Sequence, residues 1–559
     1  MKRITLPILL VLAAACAGGE RAAEVAGTVY TNGRIYTVDE ANPWAEAMAV
    51  RGNEIVYVGD GAGAEALVGD ATRVEDLDGR FVMPGIIGTH EHSIFLMGVA
   101  SGLVIEELSH DKDEMLAEVA AYLEENPDGP FMSYGGGYEN TVQIQRTEID
   151  AITGPDVPFF MMSKTGHAGW ANTKALELAG VTEDEEPIDF FGRDPDGTRN
   201  GYVGTAAAAY YMMGVAGLKK EAVLQSAPTI LAQIASNGIT GMFEAGQPPG
   251  HEEPLFDAIG ELEDEGRLTV RYTVSCMVQR EQHIPGAIEC LKKFGEKYDS
   301  DFFRVNTLKI HGDGSLEGHT ALLLEPYADM PDQYGILSVP EDKSIEAALE
   351  AASLGYDLHT HAIGDAANRS FLNVFQAVRD AGYADTRLEM GHTVLVDDAD
   401  LVRFKDLDAI ANFYTLEAAQ PNPDYLTLLG PERYERLMRL GTMERMGIRI
   451  VLSQDFPSLN MNPFLHLHAA VTRSLVGDSE SLGPDSEKLT VPQAIRAYTL
   501  DAAYMVRSQD YAGSLETGKR ADFIVLDRNL LEIPEDDIAD TKVLKTVVDG
   551  RTVFEAGAE

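Results

Sequence analysis

Residues able to bind a metal or move a proton recur directly after short apolar runs: His90 and His92 in GIIGTHEH, Lys309 in LKIHGDGS, His361 in LHTHAIGD, His392 in LEMGHTVL and Asp455 in VLSQDFPS. Side chains alternate along a strand with period two, so His90 and His92 point the same way and can share one cation. Imidazole nitrogens and a carboxylate are the ligands that zinc and similar divalent ions take, and catalytic sites keep one position open for water. An HxH string standing alone is as easily two polar residues at the end of a strand. Here it is followed by more imidazoles, a lysine and a carboxylate, each at the end of its own apolar run.

Those runs define the expected scaffold. Between Pro84 and about Val506, stretches such as VPFFMMSK, NGITGMFEAG, LTVRYTVSC, FFRVNTLKI, GYDLHTHAIG, TRLEMGHTVL, LDAIANFY and IRIVLSQD alternate with helix-like segments such as DKDEMLAEVAAYLEEN and DKSIEAALEAASLG. Near-continuous apolar strands separated by helices indicate parallel βαβ units covered on both sides. The expected fold is α/β, a (β/α)8 TIM-type barrel over residues 84–506, with catalytic side chains at the C-terminal ends of its strands. Residues 26–83 and 507–557 read instead as short strands joined by turns. Asn32-Gly33, Asp78-Gly79 and Asp549-Gly550 are strong hairpin signals and Gly52-Asn53 a weaker one, because both turn residues must accept positive φ. Two such segments at opposite ends would each expose an apolar face, so they are expected to pair as one small β-sandwich. The acidic stretch within 176–220 is not needed to close a barrel, and reads as an inserted lid or subdomain that shapes the pocket.

Lys and Arg number 44 against 90 Asp and Glu, a net charge of -46, which argues against nucleic acid or an anionic membrane surface as partner. The opening MKRITLPILLVLAAAC has a basic start, an apolar run too short to span a bilayer, and small residues before Cys16. It resembles a bacterial lipoprotein signal over residues 1–16, with Cys16 as the lipid-bearing residue; the expected location is exported, periplasmic or cell-envelope, held to a membrane only through that anchor. Ala13 departs from the leucine commonest at its position. Cys276 and Cys290 fit no zinc spacing and are read as buried small hydrophobes, pairing in an exported chain being the alternative. A homodimer is compatible with all of this.

The motifs VMPGIIGTHEH, TGHAGWANTKAL, NGITGMFEAG, KIHGDGSLEGHTALLLEPY, HAIGDAA, GHTVLVD, SQDFPSLNMNPF and YTLDAAYMVRSQDYAGSLETGKRADFIVLD together resemble the amidohydrolase superfamily, in its subgroup of YtcJ-like proteins and N-substituted formamide deformylases. The resemblance runs over nearly the whole chain. It implies that His90, His92, His361, His392 and Asp455 bind one or two divalent ions, zinc being the expected metal. It also implies that Lys309, in KxxxDG, is open to carboxylation and a metal-bridging role; an ordinary amine facing Asp313 is the other reading. His359 then becomes a supporting or packed histidine, while His311 and His319 flank the DGS turn within reach of a substrate. His167 matches a family position that contacts the substrate carbonyl, although Thr165 stands where the motif normally opens with Asp. Thr205 replaces a usual glutamate, and Glu244 is nearby in barrel order, where a structural carboxylate is the plainer identity.

The implied chemistry is hydrolysis of a carbon-nitrogen bond in a small amide-type substrate, non-peptide or N-acyl. A divalent ion makes water nucleophilic near neutral pH, Asp455 serves as general base and then general acid, and His167 assists the oxyanion. The same machinery would serve dipeptides, lactones or cyclic amidines, since membership of a superfamily leaves the leaving group open. A non-catalytic, lipid-tethered binding protein is the third reading, and retention of the full ligand set speaks against it.

Overall fold

Runs of residues buried on both faces form the centre of the molecule, as a parallel sheet covered by helices requires. The computed structural model describes residues 25–557 except 101, 106–110, 130, 138–141, 164–165, 167, 184–190, 217, 417–422, 459 and 479–480. Eight parallel strands stand side by side in chain order: β1 (Ile86–Glu91), β2 (Ile239–Glu244), β3 (Arg271–Val278), β4 (Phe303–His311), β5 (Asp357–Ala362), β6 (Leu388–His392), β7 (Ala409–Tyr414) and β8 (Ile450–Ser453). Helices such as Glu252–Asp264, Ile284–Lys297, Glu341–Ser353 and Asp365–Asp380 lie between successive strands. At the floor of the barrel Ile87, Phe243, Ile410 and Val451 pack on Ala502, Ala503, Met505 and Val506.

The barrel closes between β8 and β1 through the residues that matter most. Asp455 N–H donates to the His90 carbonyl at 3.1 Å, and His92 N–H donates to the Phe456 carbonyl at 2.8 Å. Lower down, Thr89 Oγ1 donates to the Leu452 carbonyl at 2.7 Å. The candidate ligands of the first and last strands are therefore fixed to each other by backbone.

Three readings from sequence are corrected. First, VPFFMMSK is not a barrel strand. Phe160–Met162 belongs to a separate six-stranded sheet with Leu103–Ile105, Met132–Gly135, Gly169–Ala171, Phe191–Arg193 and Arg199–Val203, all between β1 and β2. A short apolar run has the same texture in either sheet, so periodicity alone does not separate them. This sheet starts well before the 176–220 segment read as an insertion.

Second, two of the strong turn signals are corners. Thr28–Thr31 and Arg73–Asp76 pair in a four-stranded sheet, whereas Arg34–Tyr36 and Phe81–Pro84 pair in a six-stranded sheet that also holds Phe523–Leu526, Val543–Val548 and Arg551–Glu555. At Asn32-Gly33 and Asp78-Gly79 the chain crosses from one sheet to the other, and Gly79 N–H donates to the Asn32 carbonyl at 2.8 Å. Gly52-Asn53 and Asp549-Gly550 do turn hairpins. The two sheets share a core of Tyr30, Ile35, Met48, Ile55, Val82, Leu515, Phe523 and Val547, drawn from both ends of the chain.

Third, Cys276 and Cys290 are joined as a disulfide. Cys276 faces outward on β3, and the helix Ile284–Lys297 that follows brings Cys290 within a Cα separation of 6.0 Å, inside the range a disulfide spans. No described helix is long and apolar enough to cross a membrane.

Candidate active site

At the C-terminal mouth of the barrel, ligand atoms of His90, His92 and Asp455 all lie within 4.8 Å of one another. His92 Nε2 is 3.6 Å from Asp455 Oδ1, and the Lys309 Nζ is 3.4 Å from His90 Nε2. The His392 ring stands 4.5 Å from that of His90 and 4.3 Å from that of His361, centroid to centroid. The six predicted residues thus form one contiguous group, with His361 at its far edge.

Local backbone choices aim these side chains. In β1 the register slips by one residue against β2, Gly88 pairing with Met242 and Glu91 with Glu244. The extra residue is a bulge, which re-aims the side chains that follow it; Ile87 and His90 both point inward because of it. His392 and Asp455 have φ of 74° and 51°, a region sparsely used by residues other than glycine and tolerated where surroundings enforce it. In both cases the turn swings a strand-end side chain back over the mouth.

A buried layer holds the candidate ligands in turn. His359 Nε2 lies 3.0 Å from His90 Nδ1, and His359 Nδ1 meets the Glu389 carboxylate. This row fixes tautomers: with Glu389 accepting from His359 Nδ1, and His359 Nε2 accepting from His90 Nδ1, the lone pair of His90 is left on Nε2, facing Lys309 and the site. Gly391 makes the contact possible, since a Cβ there would sit 3.1 Å from His359 Nε2 and 3.2 Å from His90 Nδ1. His361 Nδ1 lies 3.2 Å from Asp313 Oδ1, and Asp313 also accepts from the backbone N–H groups of Leu322, Ile363 and Gly364. Glu91, between His90 and His92, accepts from the N–H groups of Gln454 and Phe456 and so grips the loop that carries Asp455.

Burial sets the charge states. The imidazoles of His90 and His359 are held well below the usual histidine range, mainly by burial and then by the Lys309 charge, leaving neutral rings with nitrogen lone pairs. Burial also pushes the Lys309 amine well below the usual lysine range, with Asp455 opposing. Asp455 is the carboxylate whose charge acts on Lys309, whereas Asp313, which the sequence had offered as its neighbour, accepts from His361 and three backbone N–H groups. Burial raises Asp313 to about 7 and Glu91 well above the carboxylate range.

Beside this cluster opens a cleft of about 570 Å³, solvent-filled mouth included, lined by Ala168, Tyr202 and Thr205 of the inserted sheet and its edge, by Arg280, and by the loop after β4. His311 lines it, its ring stacked 4.2 Å from that of His361. His319 does not; it pairs with Asp329 at 2.9 Å. Trp170 is fully buried, in the core of the inserted sheet. Glu244 accepts from Ser93 N–H, Ser93 Oγ and Ile94 N–H, capping the helix Ser93–Val99 that follows His92. It is a structural carboxylate and does not stand in for the one replaced by Thr205. His167, Thr165 and Cys16 lie outside the described residues. Sequence reading missed Glu91 and Glu389. Glu91 was visible only as an acid between two histidines, and Glu389 as an acid inside an apolar run.

A barrel with nitrogen and oxygen ligands at its C-terminal mouth is the architecture of a metal-dependent hydrolase. Residues 73–554 match the model of the Amidohydrolase family, and the chain belongs to that family. It is 25% identical to the N-substituted formamide deformylase of Arthrobacter pascens, over 94% of this chain and 97% of that one. With the protein LONG AFTER FAR-RED 3 of Arabidopsis thaliana it shares 27% identity, over 95% of this chain and 92% of the other. Among solved structures, an uncharacterized metal-dependent hydrolase from Pyrococcus horikoshii superposes with a TM-score of 0.73 at 24% identity, covering 91% of this chain and 99% of that one.

Proposed function

We propose that this metal-dependent hydrolase cleaves a carbon-nitrogen bond in a small non-peptide or N-acyl amide. The observation that carries the reading is the convergence of His90, His92 and Asp455 at the mouth of a barrel belonging to the amidohydrolase family. Two imidazoles and a carboxylate fit a divalent ion, zinc above all, with His392 and His361 adjacent to extend the set. When bound, such an ion lowers the pKa of a water molecule and polarises a carbonyl. The chain's own groups supply the rest. Asp455 accepts the proton of the attacking water and returns it to the leaving nitrogen, one carboxylate serving both half-reactions. The Glu389–His359–His90 row keeps the His90 Nε2 lone pair turned to the site. His167 is assigned to the developing oxyanion from its place in TGHAGW. Burial holds the Lys309 amine well below the usual lysine range, which favours the uncharged form that adds carbon dioxide, so a carboxylated Lys309 and a second ion are part of the proposal.

Residues 1–16 support export, with Cys16 as a lipid anchor at the cell envelope. The test of the whole reading is metal analysis of purified protein followed by a panel of amides, formamides, N-acyl amino acids, dipeptides and lactones. Metal-dependent turnover of an amide or formamide is expected. Turnover confined to lactones or dipeptides would displace it.

A further inference from the structure

Gln279, just past the end of β3, is 1% exposed, and neither its Nε2 nor its Oε1 has a hydrogen-bond partner among the described residues. A buried carboxamide with both ends unsatisfied is rare in folded proteins and calls for an explanation. Its position supplies one. On β3 the outward side chains are Val274, Cys276 and Val278, which pack with the surrounding helices, and Met277 pairs in register with Lys309. Carrying the alternation of β3 one residue past its last residue, Val278, puts Gln279 on the inward face, one pleat of roughly 7 Å above the level of Lys309 and beside His311, which lines the cleft. The next residue, Arg280, lines the cleft too. Asp313, the other residue of that lining with a formal charge, already accepts from His361 and three backbone N–H groups. On the neighbouring strand end, Gln247 is fully buried, its Nε2 donating to Glu244 and its Oε1 without a partner among the described residues.

We propose that Gln279 is a specificity-determining residue that reads a substrate with a carboxylate next to the scissile amide, that is, an N-acyl amino acid. The carboxamide oxygen accepts the amide N–H of the substrate, while the carboxamide nitrogen and the Arg280 guanidinium donate to the carboxylate. A carboxamide offers a donor and an acceptor side by side, the pattern such a group requires. The pleat between Gln279 and the level of Lys309 leaves room for the acyl carbonyl at the metal ligands. The inference rests on the amide-hydrolase reading and narrows it to one substrate class.

The experiment compares wild type with Gln279→Leu, a near-isosteric apolar replacement, on N-acetyl amino acids and on matching N-acetyl alkylamines that lack the carboxylate. Steady-state kinetics, calorimetric binding and bound metal are measured on both proteins. Wild type should favour the N-acetyl amino acids. The variant should raise KM for them by about tenfold or more, with kcat and bound metal little changed and a smaller rise for the alkylamines. Thermal stability of the free protein should hold or increase, because removing an unsatisfied buried amide is neutral or favourable; a structural glutamine would show a fall. Unchanged KM and binding in the variant, or a wild type indifferent to the carboxylate, overturns the proposal. Binding of N-acetyl amino acids that is weakened in the variant, without turnover by either protein, would keep Gln279 in place and sink the amide-hydrolase reading instead. Gln279→Glu gives a second check, since a carboxylate beside the bound carboxylate should weaken binding further.

Discussion

Replacing Glu389 by Gln tests whether the buried row behind the site sets metal affinity. Glu389 is 2% exposed, His359 fully buried, and His359 lies 3.0 Å from His90 Nδ1. Water has no room to replace the lost charge there. The amide keeps the shape and an acceptor oxygen but gives up the negative charge that favours a proton on His359 Nδ1. The lone pair of His90 Nε2 then becomes a weaker donor. Loss of such supporting partners lowers metal affinity by about 10- to 100-fold, or about 1.4 to 2.7 kcal/mol. Competition for zinc against a chromophoric chelator measures it directly, with thermal unfolding of the metal-free proteins as the control for folding. Zinc affinity within threefold of wild type, in a protein that loses zinc on His90→Ala, would refute the reasoning.

Other outcomes follow from the same geometry. Asp455→Asn should lower kcat by about 10²- to 10⁴-fold, while substrate binding, measured by calorimetry, is largely kept; near-native turnover would remove Asp455 from the proton path. Gly391→Ala puts a Cβ 2.4 Å from the Thr360 carbonyl as well as against the His359–His90 contact. It should destabilise by about 1–3 kcal/mol and lower bound metal, and a variant normal in denaturant unfolding and metal content would contradict the packing. Glu244 is raised by burial from 4.5 to about 7. A carboxyl whose folded value is raised contributes stability that is complete below about 4.5 and is lost as pH climbs through about 7, of order 3 kcal/mol at most. Glu244→Gln should therefore gain on wild type between those pH values and stay ahead above them, and parallel stability curves would contradict this. Gln247 Nε2 donates to the Glu244 carboxylate at 3.1 Å, so in the variant the Gln247 amide must turn over to present its Oε1, which has no partner among the described residues, to the new amide.

The sequence made the strand-end candidate ligands legible because two strong rules coincide there: apolar runs mark buried parallel strands, and their C-terminal ends carry chemistry. His90, His92, Lys309, His361, His392 and Asp455 were found that way, and the structure gathers them. Residues acting through backbone geometry left no such signal. The bulge after Gly88, the positive φ of His392 and the empty space at Gly391 are invisible to a period count. Glu389 reads as a lone acid in an apolar strand until β6 is set beside β5. Phe160–Met162 misled because three apolar residues fit any buried strand. Asn32-Gly33 and Asp78-Gly79 misled because these corners between sheets also use positive φ, at Asn32 in the first and at both Asp78 and Gly79 in the second. Pairing of Cys276 with Cys290 depends on the helix after β3 folding back over it, a tertiary fact.

The most direct measurement of the central claim is anomalous diffraction at the zinc edge from crystals of purified protein, paired with elemental analysis. At least one ion per chain should lie between His90 Nε2, His92 and Asp455, and its removal by chelation should abolish hydrolysis until metal is restored. An ion bound elsewhere, or hydrolysis that survives complete loss of metal, would contradict it.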